Sequence, residues 1–140
     1  MIQTINTKIK TELEKLKWSW KPFAEIYDYH TKENTGYPFA SFELTELAGE
    51  IRDTCNNQRT LTFELYIIQE FESITREDAK DIIYKAMDVV IDKFDSNYTL
   101  DWVVELIQPI GWTVIPFNVA NWPALVGSIQ LQVRYNHFIR

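Results

Sequence analysis

A chain of 140 residues, 46% hydrophobic and 24% charged, has the size of one domain with a single core, and its balance excludes wholesale disorder, collagen and disulfide mini-scaffolds. Eight Phe, seven Tyr and five Trp against four Gly favour broad packed sheet surfaces, because flat rings suit a half-buried pleated face. The net charge of −6 is uneven: through Lys21 there are five Lys against Glu12 and Glu14, whereas the remainder is strongly acidic, which speaks against sequence-specific DNA grip by the main body.

In chain order, Ile2, Ile5, Ile9, Leu13 and Leu16 recur at spacings of three and four, which predicts a helix over 2–17 with one apolar stripe and Lys on its other faces. Residues 23–29 alternate and predict a first strand. The polar stretch His30 to Tyr37 predicts a loop, and residues 38–45 a second strand opened by Pro38. Glu46 to Asn57 is acidic and poor in apolar residues, and predicts a second loop. From Arg59 the strict alternation of Leu61, Phe63, Leu65 and Ile67 predicts a third strand with one buried face.

Thr75 before Arg76-Glu77-Asp78 marks a helix start, with the hydroxyl as cap and the acids at the positive helix end. Ala79, Ile83, Ala86, Val90 and Phe94 form its predicted buried stripe, and further apolar residues beside that stripe indicate a helix lying flat on a sheet. Ser96-Asn97 ends it. The last segment predicts two strands joined by an elaborate connection: Leu100 to Gln108, a Pro109-Ile110-Gly111 interruption, Trp112 to Phe117, then Gly127 to Phe138 with Ile129, Leu131, Val133 and Tyr135 facing a core. The order α-β-β-β-α-β-β predicts a single α+β domain over 1–140, with a mostly antiparallel sheet of about five strands and two helices.

Constellations that carry chemistry are missing from the pattern. The four glycines are scattered singly, so neither a P-loop nor a dinucleotide fingerprint is present. Asp28 and His30 are two apart and project to one side, but a metal site needs a third ligand from His137, Cys55 or a carboxylate. No metal, cofactor or catalytic residue is expected. Cys55, the sole cysteine, is expected to be an inert thiol made in a reducing compartment. Apolar runs fall far short of the roughly 20 residues that span a bilayer, so no membrane association is expected. The acidic pairs Glu70/Glu72 and Glu77/Asp78 are assigned to structure. Trp102, Trp112 and Trp122 either fill the core, the default for so large a ring, or anchor a partner.

The layout resembles the tail terminator, or tail completion, proteins of long-tailed bacteriophages. The resemblance is carried by Gly36-Tyr37-Pro38-Phe39-Ala40-Ser41-Phe42-Glu43 as an early strand, by residues 59–67 leading into the helix Arg76 to Phe94, and by the closing strand 127–135. It implies a non-enzymatic virion protein, assembled in the host cytoplasm and located in the tail. Copies of the chain would form a homo-hexameric ring that caps the tail tube protein, stops its polymerisation and meets the head-neck connector protein. Genomic DNA would pass through the lumen without specific binding. Glu46, Glu50, Asp53 and Arg59, in and beside the acidic stretch, and Arg134 are then the expected contacts between subunits or to the tube, with the basic first helix or Arg134 meeting a neighbour's acids. The alternatives are another neck or tail structural protein of the same region, or a small ligand-binding or enzymatic α+β domain. The last would have a pocket between the sheet and the second helix, with Asp28, His30 or His137 at its mouth.

Overall fold

The computed structural model describes residues 1–16, 23–31, 36–51, 56–119 and 122–138, apart from a few side chains at strand ends. Among these, the chain forms helix α1 (Ile2–Glu14), strands β1 (Glu25–Tyr27), β2 (Phe39–Ile51) and β3 (Asn56–Glu70), helix α2 (Arg76–Ser96), and strands β4 (Leu106–Val119) and β5 (Trp122–Phe138). The strands make one sheet in the order β1-β2-β3-β5-β4. This is the expected α+β class and element order. The sheet is mixed, however: β1 runs parallel to β2, and the other three pairings are antiparallel.

One face of the sheet is the core face. The predicted stripe of α2, Ala79, Ile83, Ala86, Val90 and Phe94, is fully buried, and so are Leu61, Phe63, Leu65 and Ile67 of β3 and Ile129, Leu131 and Val133 of β5. Burying each such side chain contributes roughly 1.5–3 kcal/mol. α2 lies so close to β5 that a Cβ on Gly127 would stand 2.8 Å from Met87 Sδ and 3.0 Å from Ile83 Cγ2. The glycine is there because helix and strand meet at its backbone. Ile5, Ile9 and Leu13 of α1 close the same core, as their spacing requires.

The start of α2 is set locally. The Asp78 N–H donates to Thr75 Oγ1 at 3.1 Å, which satisfies one of the free donors of the first turn. Just before it, Glu70 Oε2 accepts the N–H groups of Glu72 (2.6 Å) and Ser73 (2.9 Å), and the Ser73 hydroxyl donates to Glu70 Oε1. For Glu70, the structural role expected of these acids is what the geometry gives.

Several boundaries differ from the sequence expectation. Most of the acidic segment expected as a loop from Glu46 to Asn57 is strand: β2 continues to Ile51 and β3 resumes at Asn56, with Glu46 opposite Thr62 and Glu50 opposite Gln58 after a bulge between Leu44 and Glu46. This hairpin carries little apolar sequence, so alternation is lost while the backbone ladder persists. Leu100 to Gln108 is not one strand. Residues 97–105 are turns and bends, with Leu100, Asp101 and Trp102 at φ of 47°, 57° and 69°, and β4 begins only at Leu106. From there it runs unbroken through Pro109 and Gly111, which mark a bulge rather than an end. β5 starts at Trp122, five residues before the expected Gly127, so most of the Trp-rich connection is a long hairpin.

Candidate functional site

Side chains alternate across a strand, so the residues between the core positions define the opposite face of the sheet, which α1 and α2 do not cover. Register assembles it row by row. Phe39, Ile68, Val126 and Ile115 lie opposite one another across β2, β3, β5 and β4, and Ala124 and Phe117 extend this apolar row. The neighbouring row is Ser41, Tyr66, Ser128 and Thr113, and the one beyond it pairs Glu43 with Glu64. Phe39, Ile68, Ala124 and Val126 are buried as a second small cluster under Tyr27, Tyr37 and Tyr66. On the β4 side the row opens: Ile115 is 50% and Phe117 49% exposed.

Between these rows lies a groove of about 500 Å³, with Ile68, Val126, Ile115 and Phe117 as its apolar wall and Ser41, Glu64, Tyr66, Ser128 and His30 at its polar side. His30 is fixed on three sides. Its backbone N–H donates to Glu43 Oε1 at 2.8 Å, its Nδ1 lies 3.0 Å from Ser41 Oγ, and its ring stacks on Tyr66 with centroids 4.4 Å apart. Its Nε2 is buried without a hydrogen-bond partner among the described residues. Burial raises the Tyr66 phenol above its usual value, and the adjacent, hydrogen-bonded Glu64 carboxylate raises it further. Two carboxylates, Glu43 and Glu64, face each other directly across β2 and β3, an arrangement that disfavours the sheet by itself. Among the described lining residues there is no Lys or Arg, so the groove is an acidic place with an apolar wall.

Of the residues expected as contacts, those with described side chains divide between the two faces of the sheet. Glu46 and Arg134 sit on the face that bears the groove, by their pairing with Thr62 and Thr60, whereas Arg59 has the parity of the core face and lies against Gly49. Glu50 is placed in β2, its side chain outside the description, and Asp53 lies outside the described residues. The Arg134 Nε is buried with no partner among the described residues. Asp28 and His30 do not converge: Asp28 Oδ2 is 3.5 Å from Asn6 Nδ2, and His30 turns to Ser41. Cys55 and the His137 side chain lie outside the description, and among the described residues no three His, Cys, Asp or Glu side chains gather as metal ligands. The groove is on the opposite face of the sheet from α2, not between sheet and helix. His30 does line it, and its value as a marker was legible only as a polar residue just past a strand.

Lys8 of α1 and Lys15 just past its end are engaged within the chain. Lys8 Nζ contacts Asp101 Oδ2 at 2.6 Å, and the buried Glu12 carboxylate is clasped by Lys15 (2.7 Å) and Lys93 (3.3 Å). Burial alone would raise Glu12; the two ammonium groups outweigh it and hold the carboxyl below its usual range. Core burial, the default for the tryptophans, fails for two of them: Trp102 is 85% and Trp112 57% exposed. The Trp122 side chain lies outside the description. No helix among the described residues is long and apolar enough to cross a membrane. No protein-family model matches the chain, and no curated protein matches it.

Proposed function

We propose that this chain is a structural assembly protein of the tail terminator kind, whose copies form a homo-hexameric ring on the last tier of a tail tube protein and join it to a head-neck connector protein, with genomic DNA sliding through the lumen. The observation that carries the reading is the face of the sheet that neither α1 nor α2 covers. Its apolar row is left half-exposed at Ile115 and Phe117, beside an edge strand of 14 residues. A sheet edge and an apolar face together are what a subunit interface consumes. The acidic surplus, net −6 overall, suits a passage that must not hold DNA.

The test is sedimentation of the purified chain together with imaging of tails assembled without it. Expected are a closed oligomer and overlong or headless tails; a chain monomeric at every concentration and tails of normal length would overturn the reading. A ligand-binding domain is the second reading, favoured by the groove, whose volume lies within the roughly 300–1,000 Å³ of small-molecule sites, and by the unpaired His30 Nε2. A monomer that retains a small molecule through purification would favour it.

A further inference from the structure

Trp102 is displayed. It closes a run of three successive non-glycine residues in the left-handed region, a conformation that costs roughly 1–2 kcal/mol per residue and is held only where the surroundings over-determine it. The surroundings do so here. Leu100 is fully buried, the Asp101 N–H donates to Asn97 Oδ1 at 3.0 Å, the Asp101 carboxylate pairs with Lys8, and the Trp102 N–H donates to Thr99 Oγ1 at 3.3 Å. The strained turn therefore fixes an indole that touches almost nothing, the reverse of what a tryptophan placed for stability does.

We propose that Trp102 is the anchor of a head-to-tail contact between copies of this chain, seated in the groove on a neighbour's uncovered sheet face. Three properties match. The first is size and character: the groove offers about 500 Å³ with Ile68, Val126 and Ile115 as wall. The indole N–H, a donor only, meets an acceptor there in the Glu64 carboxylate.

The second is charge. Beside Trp102 stand the ammonium groups of Lys8, paired with Asp101, and of Lys15 and Lys93, paired with Glu12, whereas the groove presents Glu64 with Glu43 behind it and has no Lys or Arg among its described lining residues. An ammonium group brought to the groove by the contact relieves the Glu43–Glu64 repulsion.

The third is placement. Trp102 precedes the start of β4, and the groove is at Ile115, nine residues along the same strand, or roughly 30 Å away. One chain cannot fill its own groove. Two different patches on one molecule make a heterologous contact, the type that closes into rings. The inference thus rests on the ring reading and names the contact that builds it.

Sedimentation equilibrium of the full chain, Trp102→Ala, Ser128→Phe, which fills the groove from its polar row, and an equimolar mixture of the two variants tests it, with thermal melts to confirm that each is folded. Truncating a hot-spot tryptophan weakens association by about thirtyfold or more, so both variants should be monomeric where the wild type assembles. Each retains the half that the other lacks, so the mixture should form one-to-one dimers and stop. If Trp102→Ala assembles like the wild type, or the mixture stays monomeric while the wild type assembles, the Trp102 contact is overturned and the ring reading survives. A wild type monomeric at every soluble concentration overturns both.

Discussion

Glu12 was visible in the sequence only as one acid on a basic helix, and the structure makes it a buried carboxylate between Lys15 and Lys93. With Glu70, also held low against burial by the hydroxyl of Ser73 and the N–H groups of Ser73 and Glu72, it sets an acid limit. Both folded-state carboxyls lie below the ordinary value of 4.5, so the unfolded chain binds more protons. Their contribution is complete above that pH and is lost as pH falls through the depressed folded values. Urea midpoints measured between about pH 6 and pH 3 should fall on the acid side, and Glu12→Gln should lower the midpoint at neutral pH while flattening that fall. At Gly127 the direction is steric. Gly127→Val drives two methyl groups into Met87 and Ile83 and should cost about 1–3 kcal/mol, seen as a lowered melting temperature.

Among the elements, α2 was the most legible, because a capping threonine, acids in the first turn and a 3.6-residue stripe all report the same helix. Thr75→Ala should cost about 1 kcal/mol in chemical unfolding without altering assembly, since Asp78 N–H loses its acceptor in a solvent-exposed turn. β3 was equally plain through its alternation. The far half of β2 was not, since Thr45 to Gly49 are exposed on both faces and leave no hydrophobic period to read, and their pairing is decided by the backbone of β3. The parallel partner β1 is only three residues long, and its direction follows from the chain entering beside Phe39 rather than from any residue type. Residues 97–105 misled for another reason: Leu100 and Val104 are buried and Val103 partly so, and apolar content in a compact turn imitates a strand. The groove was the least legible feature. It needs four strands in register, and only His30 of its polar side had been singled out.

At the scale of the molecule, the sheet, apart from the short parallel β1 at its edge, is two antiparallel hairpins, β2–β3 and β4–β5, joined down the middle by the β3–β5 ladder. That central ladder of 15 residue pairs joins Asn56–Glu70 to residues 124–138, across the whole of α2 and β4. Each hairpin is local in sequence and closes fast, whereas the seam between them waits for the long loop to close. Until then both halves present a bare β edge that belongs to its own chain only by proximity. The same seam fits equally well when the second half comes from another molecule. Refolding at rising protein concentration should therefore divert material into exchanged dimers, detected by size-exclusion chromatography and persisting in Trp102→Ala; a monomer yield independent of concentration would count against it. A cell making many copies at once faces that competition too, so the chain's quickest route to a sound subunit is to zip its own halves before it meets a sibling.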